Sequence, residues 1–175
     1  MSSEQPDPLR PSTEVLSAPT AELDIVESAA TKRSQPTVRK RHPKPPQVRL
    51  GALQERGLAP AIMAIVERGV RRRPALAISL RAEVELDFEE DYPPVRIVFG
   101  DRLVLVEDGP AKVPDLKIEG ALPDLISLLV APLLGGVPSP INPRGRAALG
   151  MVALGRVRIE GRLGLMRRVL AVIRI

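Results

Sequence analysis

From about residue 57 onward the sequence predicts one α+β domain, with helices laid against one face of a sheet. Three observations predict it. Residues 83–89 alternate between acidic and apolar side chains, the period of a strand with one wet face. Segments at 58–70 and 163–173 instead repeat apolar residues every three to four positions, as an amphipathic helix does. The order of such segments is helix, a run of strands, two helices, a strand and a closing helix. That grouping fits an α+β layout.

The elements follow in chain order. In LAPAIMAIVERGV, Leu58, Ile62, Ile65, Val66 and Gly69 share one helical face, and Pro60 suits the first turn. RRRPALAISL reads as a short second helix or turn leading into a strand. AEVELDFEE then sends Val84, Leu86 and Phe88 one way and Glu83, Glu85, Asp87 and Glu89 the other. After the turn EDYPP, VRIVFG places Val95, Ile97 and Phe99 inward, and Asp101 begins a reversal into RLVLVEDG. DLKIEG is a further strand with Leu116 and Ile118 inward.

ALPDLISLLVAPLL is expected to be a helix over 122–134, with Pro123 and Asp124 in its first turn and Pro132 and Gly135-Gly136 ending it. NPRGRAALGMVALG reads as a helix capped by Asn142, with Pro143 at its first position. GRVRIEG is the last strand, with Val157 and Ile159 inward and Arg156, Arg158 and Glu160 outward. LGLMRRVLAVIRI closes the chain as a helix with Leu163, Met166, Leu170 and Ile173 on one side. On the wet face the acids of 83–89 are expected to pair across strands with Arg96, Lys117, Arg156 and Arg158, each pair contributing about 0.2–1 kcal/mol.

Composition changes near residue 47. Eight of the 19 prolines fall in the first 46 positions, without apolar periodicity. Such a segment cannot bury enough surface to offset its conformational entropy, so 1–46 is expected to be a disordered Pro-rich tail ahead of a domain at 57–175. The tail is acidic, then basic. Residues 1–30 hold six acids against Arg10, and residues 31–50 hold seven bases and no acid. The basic stretch 32–49 can serve as a contact for an anionic membrane surface, or simply be solvated.

Several function classes find no material here. There is no cysteine, and the single histidine, His42, sits among Pro, Lys and Arg. Thiolate chemistry and histidine-based metal sites or triads are therefore not expected, and no catalytic residue, metal or cofactor is assigned. Aromatic residues number three, Phe88, Tyr92 and Phe99, and none interleaves with the basic segment. This argues against nucleic acid as a partner despite the net charge of +5. The opening MSSEQPDPLRPSTE lacks a basic region followed by an apolar run, so no secretory signal is expected. The longest apolar run, Leu125 to Val137, is too short for a span of about 20 residues. A cytoplasmic location is expected, with peripheral contact at the inner membrane open through the basic stretch.

One segment stands apart. Between Leu122 and Ala131 only Asp124 and Ser127 are polar. A helix apolar nearly all round is buried, faces a lipid or meets a partner. A plain core helix has the same pattern.

Two segments echo each other 41 positions apart, LKIEGALPDLISLL and VRIEGRLGLMRRVL. Each reads as a strand, an E-G turn and a leucine-rich helix. With the leading helix and the strand meander in this order, residues 58–175 resemble the sterol carrier protein 2 family. The resemblance implies a five-stranded, mostly antiparallel sheet with helices on one face enclosing an apolar cavity. It implies non-enzymatic binding or presentation of a lipid, such as a sterol, a fatty acyl chain or an isoprenoid quinone precursor. Under it, Ile62, Val66, Phe99, Leu125, Leu128, Leu129, Met151 and Met166 are the candidate ligand-contacting residues; methionine suits a wall that accepts variable chains. The N-terminal extension and the insert GGVPSPINPRG depart from the family pattern. The alternative is a protein–protein interaction module that uses the apolar 122–134 helix and takes no lipid.

Overall fold

The computed structural model describes residues 44–174. The expectations for the tail up to position 43, including most of the basic stretch 32–49, lie outside the described residues. The elements are β1 (Gln47–Leu50), α1 (Ala59–Arg72), α2 (Pro74–Ser79), β2 (Ala82–Phe88), β3 (Val95–Phe99), β4 (Leu103–Asp108) and β5 (Leu116–Gly120). They continue with α3 (Leu122–Val130), a hairpin of β6 (Leu133–Leu134) and β7 (Val137–Pro138), then α4 (Pro143–Ala153), β8 (Val157–Gly161) and α5 (Leu163–Ile173).

The main sheet runs β1-β4-β3-β2-β5-β8. It therefore has six strands rather than the five implied by the resemblance. The additional one is β1, ahead of position 57, which pairs in parallel with β4 from Gln47↔Leu103 to Leu50↔Val106. The sheet is mostly antiparallel, with parallel pairing only at β1/β4 and β2/β5.

The alternation of β2 is realised. Val84, Leu86 and Phe88 are buried with Val95, Ile97 and Phe99 of β3, Val104 and Val106 of β4, and Leu116 and Ile118 of β5. Over this face lie α1, α3 and α5. α1 and α5 cross closely at Gly69, where an added Cβ would stand 1.7 Å from the carbonyl oxygen of Val172.

The opposite face carries the charges, and one of them is covered. The β4–β5 connection crosses this face, and the amide of Ala111 donates to Glu85 Oε2 at 2.6 Å. Glu85 is consequently buried although its strand position points away from the helices. Arg96 bridges Glu83 and Glu107, at 2.6 Å to each. These two hydrogen bonds, Glu83 first, raise its guanidinium pKa further. Arg156 does not join this face; it reaches the buried carboxylate of Asp124 on α3 at 2.7 Å.

The 122–134 helix is corrected to 122–130. Ala131 already has φ −64° and ψ 136°, because the ring of Pro132 disfavours helical backbone in the residue before it. Leu133 and Leu134 instead pair with Pro138 and Val137 in the β6–β7 hairpin. Its turn uses Gly135 and Gly136, both at positive φ, where glycine avoids the Cβ clash. The expected cap of α4 is present, with Asn142 Oδ1 accepting the amide of Arg144 at 2.9 Å.

Candidate functional site

A cavity of about 170 Å³ lies between α1, α3 and the inner face of β2 and β5. Leu58, Ala61, Ile62 and Ile65 approach it from the α1 side. Leu86, Phe88 and Ile118 form its floor. The remaining wall is α3, through Leu122, Leu125, Ile126, Leu128 and Leu129. Every one of these side chains is a hydrocarbon. Ala61 and Ile126 are exposed, so the cavity reaches solvent between the two helices.

Each helix flanking the cavity is held by a carboxylate from outside it. Asp108, buried at the end of β4, accepts the amide of Ala59, the first residue of α1, at 2.9 Å. Glu90, after β2, accepts the amide of Leu122, the first residue of α3, with both oxygens at 3.0 Å. These amides have no partner within their own helices. Binding them to anions also complements the positive helix ends.

A second cavity, of about 350 Å³, lies on the other side of Leu128. It is bounded by β7, by Leu149 and Val152 of α4, by Ile159 and Gly161 of β8, and by Leu163, Met166 and Leu170 of α5. Leu128 is buried and contributes to both cavities. Ile159 is only half-buried, because β8 is an edge strand and the second cavity lies beside it.

The candidate ligand-contacting residues are thus distributed unevenly. Ile62, Leu125, Leu128 and Leu129 meet at the first cavity. Met166 lies at the second, where Leu128 joins it. Met151 is half-buried and lines neither. Val66 and Phe99 are packed in the core away from both cavities. Among the described residues no group of three or more His, Cys, Asp and Glu could hold a metal ion, and no helix is long and apolar enough to cross a membrane.

No protein-family model and no curated protein matches the sequence. Solved structures do match. A UbiJ-SCP2 ubiquinone synthesis protein superposes on 67% of this chain and 88% of its own, with a TM-score of 0.48 and 18% identity. The sterol carrier protein domain 2 of Helicoverpa armigera does so over 67% and 85%, with a TM-score of 0.44 and 13% identity. A conserved hypothetical protein of Thermus thermophilus, described in connection with sterol carrier proteins, does so over 71% and 94%, with a TM-score of 0.39 and 14% identity. The likeness is to sterol carrier protein 2 domains. At these scores it is a likeness of part of the architecture.

Only Ile62, Leu125, Leu128 and Leu129 of the twelve lining residues are among the candidates read from the sequence. Alternation places Leu86, Phe88 and Ile118 on the inner face, but it does not say which inward residues meet a void. Leu58 and Ile65 carry only the general signal of α1's apolar face, and Ala61, exposed and off that face, carries none. The Phe88 ring also packs edge-to-face with Tyr92, at 6.2 Å between centroids, a preferred geometry for aromatic pairs.

Proposed function

We propose that this protein binds a lipid in the apolar space between α1, α3 and the sheet, and carries or presents it without transforming it. One observation supports this above others: the cavity wall has no polar side chain. Such a wall offers no group to fix or activate a polar substrate, whereas burial of a hydrocarbon chain contributes about 0.8 kcal/mol per methylene. Sterols, fatty acyl chains and isoprenoid quinone precursors are the ligand classes that this chemistry and the family resemblance favour.

Size decides how the ligand is held. Sites for small-molecule ligands generally measure about 300–1,000 Å³, more than the 170 Å³ of the first cavity. A lipid chain therefore extends past Leu128 into the second cavity or emerges between Ala61 and Ile126. The basic stretch 32–49 would hold the carrier near anionic membranes.

The test is extraction of the purified full-length chain with organic solvent, mass spectrometry of the extract, and titration with a fluorescent fatty acid. Co-purified lipid and saturable binding are the expected results. A second reading rests on the exposed apolar residues of α3, Ile126 at the cavity mouth and Val130 one turn further on: that helix would dock a protein. Native mass spectrometry separates the two, since the second reading expects a lipid-free assembly.

A further inference from the structure

The last third of the chain has a charge pattern that lipid binding in the cavity does not use. Residues 126–174 contain eight arginines and a single acid, Glu160. Among the described residues, Arg144, Arg162 and Arg167 are exposed and form no ion pair. The same part of the chain exposes large aliphatic side chains: Leu134 is 55% exposed, Ile141 77% and Leu163 60%.

Contacts bring the hairpin and α5 together. The β6–β7 turn rests on α5, where a Cβ at Gly136 would stand 2.9 Å from Cβ of Arg167. That seats the turn that follows Leu134 against Arg167. On α5, Leu163 and Arg167 are four residues apart and share a face, and Arg162 immediately precedes them. Leu163 is also at the rim of the second cavity.

We propose that this face, formed by the β6–β7 hairpin and the first turns of α5, docks on an anionic phospholipid bilayer. The chemistry of both kinds of residue fits that partner. Exposed leucine and isoleucine enter the acyl boundary, and long arginine side chains keep their guanidinium groups at the headgroup level. Each basic residue near an anionic surface strengthens attachment about fivefold. A nucleic acid would use the same charge but not the aliphatic residues, and residues 100–174 include no aromatic side chain for base stacking. Docking of this face does not depend on what occupies the first cavity.

The test uses the full-length chain with vesicles of phosphatidylcholine alone and of phosphatidylcholine with phosphatidylglycerol. The wild type should sediment with the mixed vesicles and not with the neutral ones, less so as salt is raised. The double variant Arg162→Glu, Arg167→Glu should lose binding by about 25-fold or more, and Leu134→Ser with Leu163→Ser should weaken it at high salt as well. Because the chain has no cysteine, Leu134→Cys, at a position that lines neither cavity, gives an independent reading when it carries an environment-sensitive fluorophore. Its emission should shift to the blue on mixed vesicles, whether or not the arginine variant folds. An unshifted probe, or unchanged binding by a folded arginine variant, would overturn the proposal and leave the basic stretch 32–49 as the membrane contact. Binding to single-stranded DNA with no binding to vesicles would overturn it in favour of nucleic acid.

Discussion

Asp108 and Ala59 lie 49 positions apart, and the carboxylate of one accepts the backbone amide of the other at 2.9 Å. The second carboxylate oxygen accepts the amide of Gln54 at 3.1 Å. One buried side chain at the end of β4 thus fixes both the approach to α1 and its first turn. Gly57 makes room for it, since a Cβ there would stand 1.9 Å from Asp108 Oδ2. The helix placed in this way supplies one wall of the first cavity.

Asp108→Ala should therefore act on stability and on the cavity together. Loss of a cap costs about 0.5–2 kcal/mol, and stranding a buried donor about 1–3 kcal/mol. A loss of about 2 kcal/mol in urea unfolding is expected. Asp108→Asn keeps one acceptor and should lose less. Fluorescent fatty-acid binding should weaken in the same order, because α1 is then free to shift over the sheet.

Gly69→Ala tests the crossing of α1 and α5. Replacing glycine by alanine within an exposed helix normally stabilises by about 1 kcal/mol. Here the new methyl would meet the carbonyl oxygen of Val172 at 1.7 Å, a backbone atom that cannot rotate away. The helices must separate, and overpacking of this kind costs about 1–3 kcal/mol. The sign should reverse. A lower urea midpoint is expected, whereas Gly164→Ala, where nothing stands within 4 Å of the added Cβ, should not destabilise.

These two contacts mark what is legible in the sequence and what is not. Alternation marks β2, β3, β5 and β8 as strands because a half-buried strand writes its own period into neighbouring residues. Pro123, Asn142 and Pro143 signal helix starts for a similarly local reason. β1 gives no such signal: Gln47–Leu50 has only one partly buried residue, Val48, and its parallel partner is more than 50 residues away. Glu85 reads as a wet-face acid because nothing local shows that the β4–β5 connection will cover it. Val66 and Phe99 point inward as expected, yet pack solidly. Whether an inward residue meets a neighbour or a void depends on how α1 and α3 lie over the sheet, which no single segment encodes. Ile159 reads as inward and buried; its half-exposure comes from the edge position of β8.

Lys117 should set the alkaline limit of the outer face. Its Nζ lies 2.7 Å from Asp87 and 3.7 Å from both Glu85 and Glu119. The hydrogen bond to Asp87 is the largest influence and raises the amine above its ordinary 10.5, against a smaller opposing desolvation. A raised folded value means that the stabilisation is fully present below 10.5 and disappears as pH climbs through the folded value. The stability difference between wild type and Lys117→Met should thus be constant from neutral pH to about 10 and shrink above it. Urea unfolding across that range measures it. A difference that grows with pH above this point would contradict the assignment.

Leu129→Trp addresses the cavity itself. Leu129 is buried and lines the first cavity together with Leu125 and Ile126. In a close-packed core a change of this size forces side chains off their rotamers and costs about 1–3 kcal/mol. Beside an apolar void of about 170 Å³ the indole has somewhere to go, and it regains dispersion contacts that the void lining lacks. Stability in urea should stay within about 1 kcal/mol of the wild type, while fatty-acid affinity falls because the ring occupies the ligand's space. The chain has no tryptophan of its own, so the emission of the new indole reports its surroundings directly. A blue-shifted spectrum with near-wild-type stability and lost binding is the expected combination. A collapse in stability, with no fatty acid bound by the wild type, would instead mean that this region packs shut as an ordinary core. The exposed face of α3, with Ile126 and Val130, would then become the better candidate site.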